Sequence, residues 1–147
     1  MEGIMNIMEL RRGEYLISTD RSKLDISTIH DFLSRSSYWA QDRTLETVMT
    51  SINHSLNFGV YLDDQQVGFA RVVTDFATFA WLCDVFILEQ YRGRGLAKWL
   101  VKTIVELPEL QNLKHVLLAT RDAHQLYRRY GGFEILDSKG RLMRRST

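Results

Sequence analysis

One cysteine in 147 residues, Cys83, excludes an internal disulfide, and no Cys/His cluster has the spacing of zinc ligands. A reducing compartment is expected, with no metal. A single proline and no Gly/Ser-rich run leave neither a low-complexity stretch nor an interdomain linker, and no segment repeats. No apolar run approaches the ~20 residues of a membrane span. The start MEGIMNIMEL also lacks a basic segment followed by an apolar core, so the expected location is the cytoplasm, with no membrane partner. Excess charge of one sign is missing too: 19 Lys and Arg against 18 Asp and Glu give a net +1. That balance argues against nucleic acid as a partner, although the tail Arg141, Arg144, Arg145 is locally basic. What is present is a 45% hydrophobic chain, enough for a core in a single domain over 1–147.

The most informative stretch is the passage from an apolar run into a helical pattern. Phe79 to Leu88 (FAWLCDVFIL) is apolar and rich in β-branched and aromatic residues, as in a strand buried on both faces. Leu96, Leu100, Ile104 and Leu107 then recur at helical spacing until Pro108. Between them lies Gln90-Tyr91-Arg92-Gly93-Arg94-Gly95. A strand entering a helix through Gly-x-Gly presents unpaired N–H groups at the positive end of the helix dipole, which is an anion site, and Arg92 and Arg94 add charge to it. The dinucleotide fingerprint needs a small residue where Lys98 stands, and the ATP-type loop needs Gly-Lys-Ser/Thr, so neither fits.

The remaining elements follow in chain order. Tyr15 to Thr19 reads as a first strand, and Asp25 caps a helix with Ile26, Ile29 and Leu33 on one face. Tyr38 and Trp39 stand together in a loop, either plugging a gap between helices or lining a ligand pocket. Thr44 caps a second helix with the stripe Leu45, Val48, Ile52 and Leu56. Phe58 to Leu62 and Gln66 to Thr74 are strands joined at Asp63-Asp64-Gln65, and Asp75 to Thr78 turns into the central strand. His115 to Ala119 is a short buried strand that a right-handed crossover lays parallel to the central one, with a ligand expected at their carboxyl ends. Asp122 caps a last helix with Ala123, Leu126, Tyr127 and Tyr130 inward and Gly131 or Gly132 as its stop. Phe133 to Leu136 and Leu142 to Arg144 close the sheet as edge strands.

Two phrases in this chain resemble signatures of the GCN5-related N-acetyltransferases. Gln90 to Gly95 resembles the family's pyrophosphate loop, Arg/Gln-x-x-Gly-x-Gly/Ala. Asp122 to Phe133 (DAHQLYRRYGGF) resembles its Ala-x-x-Phe/Leu-Tyr-x-x-x-Gly-Phe, with one additional glycine before Phe133. The element order also matches, so the resemblance spans nearly the whole chain. It implies a mixed α/β sheet, mostly antiparallel, with one splayed parallel pair flanked by helices. It further implies an N-acetyltransferase that moves an acetyl group from acetyl-CoA to a primary amine by direct attack in a ternary complex. A catalytically idle CoA-binding or sensory module of the same fold is the alternative. The acceptor would be a small-molecule or peptide amine, and a homodimer is allowed.

Carried over residue by residue, the resemblance assigns the pantetheine arm to the backbone of Val85, Phe86 and Ile87. The pyrophosphate goes to the loop and first turn, Arg92, Gly93, Arg94, Gly95, Leu96, Ala97 and Lys98. Thr120 and Asp122 are further cofactor contacts, Thr120 standing where many members have asparagine. Tyr127 falls on the family's tyrosine, as an acid for the departing CoA thiolate or else a core residue of the helix face. His124, three residues earlier, either assists it or is merely solvated. Asp84, a carboxylate in a buried strand, is either a general base for the amine or an ion-pair partner of Arg71, opposite Ala70 or Arg71 depending on register. Cys83 is expected to point to the opposite face as a core residue. Tyr38, Trp39, Arg71 and Asp75 are assigned to the acceptor wall.

Overall fold

The computed structural model describes residues 6–136 and 140–146. Its six strands lie in one sheet in chain order: β1 (Glu9–Arg12), β2 (Tyr15–Ser18), β3 (Leu56–Leu62), β4 (Gln65–Thr74), β5 (Phe79–Ile87) and β6 (His115–Leu118). Neighbours from β1 to β5 are antiparallel, whereas β6 is parallel to β5 and follows the crossover helix α3 (Leu96–Val105). The other helices are α1 (Ile26–Asp31), α2 (Leu45–Asn53) and α4 (His124–Gly131). This is the mixed α/β arrangement that the element order implied.

Each face of the sheet has its own core, because the apolar side chains of a strand alternate between faces. Leu96, Leu100, Val101 and Ile104 of α3 pack with Ile17, Phe58, Val60, Val72, Ala80 and Leu82 on one face. On the other, Ile29 and Leu33 join Val48 and Ile52 of α2 around Phe69 and Phe86. α1 and α2 start where the caps predict: Asp25 accepts the Thr28 N–H at 3.1 Å and Thr44 that of Thr47 at 3.2 Å.

The structure differs from the sequence reading at several places. β1 has no counterpart in that reading, because all four of its residues (ELRR) are exposed and give no alternating signal. The first helix loses its α-helical pattern after Asp31 and continues as a wider π-helical turn, Phe32–Ser36, which buries Leu33 as expected and also Phe32. Leu45 is exposed and Leu56 opens β3 rather than completing the α2 stripe. The cause is Asn57, whose amide donates to the carbonyls of Ile52 at 2.9 Å and Ser55 at 3.1 Å and so closes the end of α2.

At α4 the expected Asp122 cap is absent. Ala123 occupies the cap position, and its own N–H donates to Thr120 Oγ1 at 3.0 Å. Gly132, at φ +71°, is the left-handed stop. The Phe133 N–H then bonds the Tyr127 carbonyl at 3.2 Å and its ring meets that of Tyr127 edge-on. This turns the chain back onto α4, so residues 133–136 form no strand, nor do residues 142–144, and on this side the described sheet ends at β6.

Candidate active site

The site begins where the sheet stops being regular. β5 pairs with β6 only from Phe79 opposite His115 to Leu82 opposite Leu118. Beyond Leu82 the two strands part, and the ladder groups of β5 on that side are left without β6. On its other side β5 carries a bulge. Phe69 faces Phe86 and Arg71 faces Cys83, so Ala70 alone lies opposite Asp84 and Val85. Asp84 takes the extra position with φ +53°, a conformation that costs a residue with a Cβ of order 1 kcal/mol. Before the bulge Ala80 and Leu82 face α3; after it Val85 and Ile87 do.

This inversion decides the register question and corrects the expectation for Cys83. Directly opposed residues share a face, so Cys83 lies on the Arg71 side and lines the same cavity as Asp84 rather than the opposite core. Burial pushes its thiol up to about 11, against the pull of Arg71 and Arg43, so at neutral pH it is a thiol and a poor nucleophile.

A cleft of about 600 Å³ occupies the gap between the strands. Val85, Phe86 and Ile87 form one wall, and Arg92, Gly93, Gly95, Leu96, Ala97 and Lys98 form the end at which α3 begins. Gly93 and Gly95 both sit at φ +79°, which opens the loop, and Gly95 is the N-cap of α3 without a side chain to satisfy the first-turn N–H groups. The arginines are partly committed: Arg92 Nε donates to the Ile87 carbonyl at 3.0 Å. Arg94 is turned out of the cleft, where Nη1 donates to the Tyr15 hydroxyl at 2.7 Å and the guanidinium lies over Tyr91. Arg12 is an addition from β1, lying over the Trp99 ring and 3.7 Å from where a Cβ on Gly95 would stand. Its strand carried no apolar signal, so nothing in the sequence connected it with the loop. Asp122 lines the cleft as well, whereas Thr120 lies outside it and serves the start of α4.

A second cavity, about 340 Å³, adjoins the cleft and shares Tyr38, Trp39, Val85, Asp122, Ala123 and Tyr127 with it. Its floor is an ionic cluster. Asp84, with a side chain only 2% exposed, accepts the Trp39 indole N–H on Oδ1 at 2.9 Å. Its Oδ2 accepts Arg43 Nη1 at 2.8 Å and Arg71 Nε at 2.9 Å. The Arg71 pair, one of the two alternatives for Asp84, is therefore present, and Arg43 is a partner the sequence reading missed. Its only signal was a cation in the same loop as Tyr38 and Trp39. That loop is held down by the buried Ser37 hydroxyl, which donates to the Leu33 carbonyl at 2.7 Å and accepts the Ala40 N–H at 3.0 Å. Across the gap, the Arg121 N–H donates to the Tyr38 hydroxyl at 2.9 Å and its guanidinium stacks on the Tyr38 ring at 3.8 Å.

Tyr127 is buried where the two cavities meet. Burial, reinforced by Tyr38, Asp122 and Cys83, pushes its phenol up to about 12, so it keeps its proton throughout the neutral range. The structure does not bring two of the other expected residues into this group. His124 is exposed and lines neither site cavity; it faces a third, between α4 and β6, that touches both at Tyr127. Asp75 is occupied in its own turn, accepting the N–H groups of Ala77 at 2.9 Å and Thr78 at 2.7 Å and the Thr78 hydroxyl at 2.6 Å. Those bonds, led by the Thr78 hydroxyl, hold its carboxyl far below the usual range. Among the described residues no group of three or more His, Cys, Asp or Glu could hold a metal ion, and no helix is long and apolar enough to cross a membrane.

The sequence profile of the Acetyltransferase (GNAT) family matches residues 26–133, from α1 to the residue after the Gly132 stop. The chain belongs to this family. A protein of Gibberella zeae assigned as an acetyltransferase is 31% identical, over 79% of this chain and 77% of its own. A crystal structure from Xanthomonas campestris pv. campestris, of a protein assigned to the same family, is 48% identical with a TM-score of 0.86, covering 90% of this chain and 93% of that one. A Clostridium acetobutylicum structure determined with acetyl-CoA shares the fold at 17% identity and a TM-score of 0.62, over 84% and 90% of the two chains. The GNAT fold thus accounts for the parted strands, and the chain is an enzyme of the acetyltransferase class.

Proposed function

We propose that this GNAT enzyme transfers the acetyl group of acetyl-CoA to a primary amine by direct attack within a ternary complex. The observation that carries the reading is the meeting of two cavities at Tyr127, one running to the uncapped start of α3 and the other to the Asp84 floor. The first suits a long ligand with an amide-bearing arm and an anionic end. Unpaired β5 groups await amide partners, and the Gly93–Gly95 turn offers N–H groups to a pyrophosphate. Acetyl-CoA in the Clostridium acetobutylicum relative supports the same choice.

In this reading the amine enters from the smaller cavity and its lone pair attacks the thioester carbonyl carbon. Collapse of the tetrahedral adduct breaks the C–S bond, Tyr127 gives its phenol proton to the leaving sulfur, and the proton that the nitrogen sheds passes through solvent and restores the phenol. A positioned acid of this kind contributes roughly 10²- to 10⁴-fold. Asp84 serves as an anchor, because each of its oxygens already accepts at least one N–H and its removal would free Trp39, Arg43 and Arg71 together. The test is CoA thiol release in the presence of an amine panel, combined with thermal melts. Acetyl-CoA at 100 times its Kd should add about 2.7 kcal/mol of stability. A shift with NAD or ATP and none with acetyl-CoA would overturn the cofactor assignment. A shift with acetyl-CoA but no turnover with any amine would leave only a binding module.

A further inference from the structure

The floor of the smaller cavity is unbalanced in charge. Two guanidiniums, those of Arg43 and Arg71, share the single carboxylate of Asp84. Hydrogen bonds within the described protein use Nη1 of Arg43, and Nε and Nη1 of Arg71, the latter donating to Ser55 Oγ at 3.0 Å. The Nη2 groups of both remain available in side chains only 21% and 14% exposed that line the cavity. Asp122 and Arg121 at the exposed rim are near each other, 3.9 Å apart, and largely offset one another. Of the other titratable groups facing the cavity, Tyr127 and Cys83 are both pushed upward by burial and remain neutral at pH 7, and the Tyr38 hydroxyl accepts the Arg121 N–H. The floor therefore holds a surplus positive charge. The walls are aromatic and apolar: Tyr38, Trp39, Trp81 and Leu82.

We infer that the acceptor is a small amine that also carries a carboxylate, an amino acid with an apolar or aromatic body, whose carboxylate lies on the spare Nη2 donors of Arg43 and Arg71. This deepens the transferase reading above and rests on it. Paired guanidiniums are suited to a carboxylate, which they can grip through two parallel bonds. A polycationic acceptor such as a polyamine meets repulsion at this floor. The cavity, at about 340 Å³, is of a size for a single amino acid rather than an extended chain.

The experiment compares matched amines at equal concentration of the neutral form: L-phenylalanine against 2-phenylethylamine, L-leucine against 3-methylbutylamine, and spermidine. The carboxylate-bearing member of each pair is expected to have kcat/KM about tenfold or more above its partner, because a site built for a polar group discriminates against the analogue lacking it. Arg43→Gln should bring that ratio to within about threefold through KM, with the acetyl-CoA melting shift retained. A measurement that needs no variant runs in parallel: 3-phenylpropanoate, which has the carboxylate but no amine, should inhibit competitively against the amine and not against acetyl-CoA. Decarboxylated amines that react equally well or better, or spermidine as the best acceptor, would overturn the inference while leaving the transferase reading intact. Failure of acetyl-CoA to raise the melting temperature, with no CoA released by any amine, would overturn both.

Discussion

Trp39 and Asp84 are 45 residues apart in sequence, yet the indole N–H donates to Oδ1 of the buried carboxylate at 2.9 Å and ties the loop between α1 and α2 to the bulge of β5. Trp39→Phe keeps an aromatic ring but leaves Oδ1 without that donor, which costs about 1–3 kcal/mol for a buried acceptor. Urea unfolding should show a loss of that size. Acceptor KM should rise more than the acetyl-CoA melting shift falls, since Trp39 lines both cavities whereas Asp84, Arg43 and Arg71, which it helps to hold, line only the smaller one.

Tyr127→Phe removes the proposed acid and little packing. The expected result is a fall in kcat of about tenfold to a thousandfold with acetyl-CoA affinity held. An unaltered rate would move the leaving-group role to water.

The same variant has a signature in stability against pH. The Tyr127 phenol is raised from 10 in the unfolded chain to about 12 in the folded one, so its contribution is complete below pH 10 and is lost as pH rises toward 12. At about 1.4 kcal/mol per unit, the difference between wild-type and Tyr127→Phe over that window is on the order of 2–3 kcal/mol. Melts across the window read it as a difference, because Tyr61 and Cys83 are raised as well and act in the same direction in both proteins.

Asp84→Asn keeps the shape and removes the charge that two guanidiniums share. Breaking a buried pair in this way should cost on the order of 3 kcal/mol. With Asp84 as an anchor, the acidic limb of the kcat/KM profile survives in the variant. A limb that vanished, with partial rescue at higher pH, would make Asp84 the base instead.

Gly95→Val puts a β-branched residue at φ +79°, which costs about 1–2 kcal/mol and directs a side chain at the loop. Thermal melts should show a modestly destabilised protein that no longer responds to acetyl-CoA. A preserved response would place the pyrophosphate elsewhere.

The parts legible in the sequence were those written in local pattern. Phe79 to Leu88 announced β5, the Leu96, Leu100, Ile104 spacing announced α3, and Gly93 and Gly95 marked the turn between them. The parts that stayed hidden depend on contacts far along the chain. Arg43 meets Asp84 across 41 residues, and no local spacing encodes that distance. β1 was invisible because an edge strand with four exposed residues has no hydrophobic period. Asp122 looked like a cap because caps are commonly aspartate, but Thr120 Oγ1 took the N–H of Ala123 instead. At the far end, the extra glycine let Phe133 fold onto Tyr127, and the apolar letters after it did not continue the sheet.

β5 holds one residue more than its ladder with β4 requires. Were Asp84 absent, Cys83 would still face Arg71, Val85 would face Ala70 and Phe86 would face Phe69, an unbroken zip with no misfit. The surplus residue sharpens the local twist just after Leu82, the last position at which β6 keeps pace. One inserted amino acid thus makes a fork out of two strands that could have run on side by side, and it brings into the crotch of that fork the charge on which Trp39, Arg43 and Arg71 converge. A family that needs a gap in its sheet can obtain it by a miscount of one.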